Sequence, residues 1–152
     1  MARAPFNVLI FPYIDICNNE FEYVLFKRAD TGFWQEISGG GEDNETPLES
    51  ARRETYEETG ISVNSEFMQL DTVFPVPVTE FSVSYLWGDN IYVIPQYTFG
   101  VKVYDRQITL SNEHTEYRWL RYEQAYEIVE FDGNKIAIWE LNRKLKGLGP
   151  RD

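Results

Sequence analysis

One cysteine and one histidine are all the thiol and imidazole metal ligands that 152 residues offer. A lone Cys17 rules out an internal disulfide and a cysteine-rich zinc site. It reads as a small buried hydrophobe. A lone His114 means that any Ser-His-Asp or Cys-His mechanism has no second histidine to use. Set among carboxylates in "SNEHTEY", it reads mainly as a structural hydrogen-bonding residue. No apolar run approaches the roughly 20 residues of a spanning helix. The apolar part of "MARAPFNVLIFPYIDI" is too short for a signal peptide or anchor, so a cytoplasmic protein without a membrane partner is expected. Positive charge is scarce as well: 14 Lys and Arg stand against 25 Asp and Glu, a formal net charge of -11. That disfavours nucleic acid, whose phosphates need Lys and Arg, and anionic membrane surfaces. A small phosphorylated substrate stays open, provided a cation mediates.

What is present is core material. Hydrophobic residues make up 43 % of the chain and aromatics 16 %, which predicts one folded domain over residues 1–152. "FNVLIFPYI" (6–14) and "FEYVLFK" (21–27) read as two strands joined at the turn signal "NNE", a hairpin. "RADTGFW" reads as a loop, and "QEIS" as a short extended piece before Gly39, Gly40 and Gly41. The clearest helix runs from Thr46 to Thr59. Thr46 fits the N-cap, Pro47 the first helical position, Glu49 the capping box and Gly60 the C-terminal stop. From about 62 to 103 the pattern is mostly β, with prolines that predict edges or bulges. A short late strand, "YRWL" (117–120), precedes two helices, "YEQAYEIVEF" and "NKIAIWELNRKLKG". Strands, one capped helix, more strands and terminal helices predict an α/β or α+β mixed sheet with helices on its faces.

On a wheel of about 100° per residue, Leu48, Ala51 and Thr55 make the apolar stripe of the capped helix. Glu54, Glu57 and Glu58, spaced i, i+3 and i+4, share a neighbouring arc. Like charges repel there, and the C-terminal turn of a helix disfavours negative charge. A helix built for stability alone would carry Lys or Arg at these positions. The broken rule points to function, and hard divalent cations such as Mg²⁺ bind carboxylate oxygens. A solvated acidic face is the competing account. Arg53, one step before, can hold a glutamate in place.

The spacing extends beyond the helix. Gly39, five residues, Glu45, seven residues, Arg53-Glu54, two residues, Glu57-Glu58, one residue, Gly60, then aliphatic Ile61: this resembles the box of the Nudix hydrolases. At residue frequencies of about 5–10 %, a chance match is on the order of one in a hundred thousand. One position departs, since Thr55 stands where the family carries an aliphatic residue. "FWQEISGGGE", "SNEHTEYRWL" and "NKIAIWELNRKL" resemble, more loosely, the subgroup of dihydroneopterin triphosphate and nucleoside triphosphate pyrophosphatases. Ser38 stands where RNA-cap and dinucleoside-polyphosphate members carry a proline.

The resemblance implies an α/β/α sandwich around a mixed sheet and hydrolysis of a diphosphate linked to another moiety. It implies Mg²⁺, or Mn²⁺, held by Glu54, Glu57 and Glu58, with Arg53 orienting them. Glu45 supports the box, and Gly39 lets the chain approach the metal site. Glu113 is the residue it favours as an added carboxylate and general base, with Glu116 and Glu54 as rivals. Arg28 is a candidate for the phosphates. Trp34, Phe74, Trp87 and Tyr92 are candidates to stack on a flat ring, Trp34 and Tyr92 foremost. The expected partner is a small polyphosphate cut to monophosphate and pyrophosphate, and a homodimer is compatible. The alternatives are a ligand-sensing module of the same fold, a calcium-binding domain that lacks the EF-hand pattern, and a hydrolase of another nucleoside diphosphate derivative.

Overall fold

The structure is a computed structural model that describes residues 3–151. Seven strands form one mixed sheet: β1 (Arg3–Cys17), β2 (Glu20–Arg28), β3 (Trp34–Gln35), β4 (Ile37–Glu42), β5 (Phe67–Pro77), β6 (Val93–Val103) and β7 (His114–Arg121). Three helices complete the fold: α1 (Pro47–Thr59), α2 (Tyr122–Ile128) and α3 (Asp132–Leu145). β1 runs parallel to β6, and every other pairing is antiparallel.

β1 is long enough to change partners on one side. Its first part pairs with β4 as far as Ile10, and its last part pairs with β2 from Tyr13. Pro12, which has no N–H to give a ladder, sits between the two pairings. The β1–β2 hairpin turns on Asn18 and Asn19, both at positive φ (50° and 62°). Two such residues suit the twist of a two-residue hairpin, and asparagine tolerates them. β5 is an outer strand, and its Pro75 lies opposite Pro95 of β6. Pro95 falls just before the β1–β6 pairing starts at Gln96, so neither proline interrupts that parallel ladder.

Alternation along the strands builds two cores. Val8, Ile10, Val24, Phe26 and Phe99 face one way and pack with Ala51 of α1. Phe11, Tyr13, Tyr23 and Leu25 face the other way and pack with Ala137, Ile138 and Leu141 of α3. Each such fully buried side chain contributes about 1.5–3 kcal/mol, so the helices are held by burial on both faces. This is the expected α/β/α sandwich.

Three expectations are corrected. Gly39, Gly40 and Gly41 lie within β4, paired with β1, rather than after a short extended piece. The late strand begins at His114, three residues before the tyrosine expected to open it. Cys17 is exposed, because it ends β1 at the hairpin turn instead of pointing into a core.

Candidate active site

The helix that carries the acidic arc is fixed at both ends. Glu49 N–H donates to the Thr46 hydroxyl (3.1 Å), and Thr46 N–H donates to the Glu49 carboxylate (2.8 Å). Gly60 adopts φ +76°, and its N–H donates to Tyr56 O at 2.9 Å. This left-handed stop turns the chain away directly after Glu57, Glu58 and Thr59.

The three glutamates do not share one environment. Glu57 is 54 % exposed at the side chain, Glu54 16 % and Glu58 only 3 %. A solvated acidic face therefore does not describe this helix. Both Glu58 oxygens are buried without a hydrogen-bond partner. Burial first, then the neighbouring Glu113 and Glu54 carboxylates, push the Glu58 pKa up to about 10. Burial also raises Glu54, against the pull of Arg53. Two carboxylates this close cannot both ionise cheaply unless a cation joins them.

Arg53 organises the rest. Its guanidinium donates to Glu45 through Nε (2.7 Å) and Nη2 (2.9 Å), a paired contact. Nη2 also reaches Gly40 O at 2.8 Å, while Nη1 donates to Glu54 at 3.0 Å and to Glu57 at 3.2 Å. Glu45 accepts from Glu42 N–H at 2.9 Å as well, and the Arg53 contact holds its carboxyl below the usual range. One cation thus ties the loop before α1, the glycine strand and two helix glutamates together. Gly39 supplies the space: a Cβ there would lie 2.1 Å from Glu54 Cδ.

Glu113 and His114 arrive from the start of β7. Donor atoms of Glu58, Glu113 and His114 lie within 4.8 Å of one another, close enough to hold a metal ion. His114 Nδ1 is 3.7 Å from Glu58 Oε1 and is buried without a partner. Burial lowers the His114 pKa, so the neutral ring is favoured. The reading of His114 as mainly structural missed this placement. Its signal was the neighbouring Glu113, but the ring reaches α1 through contacts distant in sequence: Arg28 of β2 pairs with His114, and Ser111 N–H donates to Glu58 O at 3.3 Å. Glu116 is not part of the group; it is half-exposed, near Lys27 (3.9 Å) and Arg118 (3.8 Å).

Arg28 lies beside the group, held to Asp30 by two hydrogen bonds of 2.8 and 2.7 Å. With Trp34, Phe33, Gln35, Phe131 and Asn134 it lines a cavity of about 350 Å³. Gln35 Nε2 comes within 3.4 Å of His114 Nε2, which joins this cavity to the acidic group. Trp34 has one ring face covered by Arg118, at 4.7 Å. Tyr92 is not gathered in. It is 79 % exposed at the end of a loop and does not line this cavity.

A buried Glu58 without a cationic partner, an arginine that orients its neighbours and a glycine strand pressed on Glu54 form one unit. A family profile described as NUDIX domain matches residues 10–139. The chain belongs to the Nudix family. It is 30 % identical over 146 residues to the asymmetrical bis(5'-nucleosyl)-tetraphosphatase of Rattus norvegicus, covering 92 % of this chain and 93 % of that one. It is 28 % identical over 141 residues to the dihydroneopterin triphosphate diphosphatase of Escherichia coli K12, covering 90 % and 91 %. A solved Nudix structure from Listeria monocytogenes superposes with a TM-score of 0.84 at 38 % identity, over 95 % of this chain and 96 % of that one. This Nudix chain is therefore a pyrophosphohydrolase by family. No helix among its described residues is long and apolar enough to cross a membrane.

Proposed function

We propose that this Nudix hydrolase is a Mg²⁺-dependent diphosphohydrolase that cuts a nucleoside or pterin triphosphate to monophosphate and pyrophosphate. The observation that carries the reading is Glu58, a buried carboxyl that accepts from no N–H or hydroxyl among the described residues and has the Glu54 and Glu113 carboxyls as its neighbours. Such a group is costly in a fold and suits a hard divalent cation, with Mn²⁺ as a substitute for Mg²⁺.

Glu54, Glu57, Glu58 and Glu113 would hold the cation, with His114 closing the group. When bound, the cation supplies positive charge against the phosphate oxygens and makes water more acidic. Arg53 keeps Glu54 and Glu57 aimed through its anchor on Glu45. Glu113, at the rim of the group, accepts the proton of the attacking water. The water oxygen bonds to phosphorus in line, the bridging P–O bond breaks, and pyrophosphate leaves with the electron pair. Arg28 faces the departing charge from β2, and Trp34 and Phe33 offer aromatic surface beside it.

The similarity to the rat tetraphosphatase favours a second reading, cleavage of a dinucleoside polyphosphate. A hydrolysis panel separates the two. It contains nucleoside triphosphates, dihydroneopterin triphosphate, a nucleotide sugar and a dinucleoside polyphosphate, with Mg²⁺ and products resolved by mass. Pyrophosphate from a triphosphate, lost in Glu57→Gln, is the expected result. A mononucleotide and a nucleoside triphosphate from the dinucleotide alone would establish the second reading. Folded protein that turns over nothing would overturn both. Within the panel, Glu113→Gln tests the base: turnover near that of the parent removes Glu113 from that role.

A further inference from the structure

On the α3 side of the sheet, a cavity of about 360 Å³ lies between β5, β6 and the start of α3. Phe74, Phe81 and Phe131 supply its aromatic surface, and Asn7 and Gln96 line it as buried amides. Gln96 is 9 % exposed. Its carbonyl accepts from Asn7 Nδ2 at 2.9 Å, while its own N–H₂ group has no hydrogen-bond partner among the described residues.

The direction of these bonds is not free. Arg3 Nη2 donates to Asn7 Oδ1 at 2.8 Å, and a guanidinium can only donate. Asn7 must therefore turn its oxygen to Arg3 and its N–H₂ to Gln96. Gln96 must turn its oxygen to Asn7, which leaves its N–H₂ for the cavity. Arg3 is itself held tightly: Nη1 donates to Ala4 O (2.7 Å) and Phe6 O (2.8 Å), and its guanidinium lies 5.4 Å from the Phe81 ring centre and 5.6 Å from that of Trp87. One relay thus sets both an aromatic surface of the cavity and the polarity of its floor.

The relay also abuts the acidic group. A Cβ on Gly39 would meet Glu54, and a Cβ on the next residue, Gly40, would meet Arg3 Cζ at 1.8 Å. Successive residues of a strand face opposite sides, so Glu54 and Arg3 lie on the two faces of one glycine strand. The cavity also shares Glu80 and Phe131 with the cavity lined by Arg28, whose Gln35 lies 3.4 Å from His114, so a ligand can run from the ring cavity to the acidic group.

We propose that this cavity takes the flat heteroaromatic ring of the substrate, and that Arg3, through Asn7, positions the Gln96 amide to donate to an acceptor atom on the ring edge. The ring class is a neutral nitrogen heterocycle with an oxo or ring-nitrogen acceptor beside N–H donors, because the Glu80 carboxylate at the rim favours donors and repels anions. The link to turnover rests on the hydrolase reading above; ring binding itself does not.

The test follows the Gln96 side-chain amide pair by NMR in the intact, ¹⁵N-labelled protein. The pair is assigned by its loss in Gln96→Glu. Guanosine, adenosine and neopterin are added in turn, with ribose 5-phosphate as the ring-free control. Ring compounds are expected to shift the pair, and ribose 5-phosphate to leave it in place. Gln96→Leu is expected to weaken ring binding about tenfold, the loss of one hydrogen bond. Arg3→Met should weaken it similarly, and the double variant no further, since both remove the same contact. Additive effects would reduce Arg3 to a structural residue and overturn its positioning role. An unmoved pair in a protein that still hydrolyses a triphosphate would overturn the ring site and leave the hydrolase reading. A moved pair without hydrolysis of anything would do the reverse.

Discussion

His114 Nδ1 and Glu58 Oε1 stand 3.7 Å apart, both buried, and no N–H or hydroxyl among the described residues donates to either. The histidine is kept neutral by burial, so it does not cancel the glutamate's charge. Protonated Glu58 is the stable form of the metal-free protein, and the pH dependence of stability follows. A carboxyl whose folded pKa is raised gives stability at low pH and loses it as pH climbs toward the folded value. For Glu58 that loss runs from the ordinary value near 4.5 up to about 10. Glu36, buried and raised to about 7, contributes in the same sense only over the lower part of this range. His114, lowered, costs stability on the acid side instead. Between about pH 7.5 and 9, metal-free protein should lose up to about 1.4 kcal/mol per pH unit, the limit for one proton. Urea melts across that window, with and without Mg²⁺, check this. Mg²⁺ should restore more stability at pH 9 than at pH 7.5, because the ion needs the ionised carboxylate.

Gly39 is expected to tolerate no side chain. The Cβ of Gly39→Ala would sit inside the Glu54 carboxyl group, 2.1 Å from Cδ, so Glu54 must swing away. A displacement of this order costs about 100-fold in turnover. Steady-state rates at saturating Mg²⁺ measure it. Gly147→Ala makes the comparison, since that position has open space around it, although its φ of +72° strains any side chain placed there.

Arg53→Lys should be far from conservative. Lysine cannot span Glu45, Glu54 and Gly40 O at once, as the planar guanidinium does. The expected loss is about 10–100-fold in turnover, the usual effect of removing a residue that aims metal ligands. The apparent Mg²⁺ affinity should fall with it, and a Mg²⁺ titration of the rate reads both.

Thr55 carries the opposite kind of signal. It is fully buried on the stripe facing the core, and its hydroxyl has no partner. Thr55→Val keeps the shape and removes the unsatisfied group, so it should stabilise the fold by about 1 kcal/mol. Turnover should not change. Chemical denaturation together with the rate assay decides both points.

What could be read from the sequence was local. Thr46, Glu49 and Gly60 act within a turn of their own positions, so both ends of α1 were legible. The spacing from Gly39 to Gly60 was legible for the same reason. What was hidden came from pairings distant in sequence. The glycines read as following the extended piece rather than continuing it, because nothing near them reveals that β4 pairs with β1. His114 read mainly as a structural hydrogen-bonding residue, because its neighbour Glu58 lies 56 residues earlier and meets it through the β2–β7 ladder and the Ser111 bond to Glu58. Glu57 and Glu58 looked alike on a helical wheel. One proves mostly exposed and the other buried, since the cover over Glu58 comes from residues after 110. Arg3 and Gln96 gave no signal at all, as neither belongs to a recognisable spacing.

The central claim is that Glu58 is kept buried and unpaired for a cation that turnover needs. Glu58→Gln tests it most directly. Glutamine matches the shape and neutrality of protonated Glu58, so the metal-free protein should be at least as stable at pH 8 as the parent. It should nonetheless lose at least about 100-fold in Mg²⁺-dependent turnover and most of the stabilisation that Mg²⁺ gives. A Glu58→Gln protein that hydrolyses the same substrate within twofold of the parent rate, with the same Mg²⁺ dependence, would contradict the account.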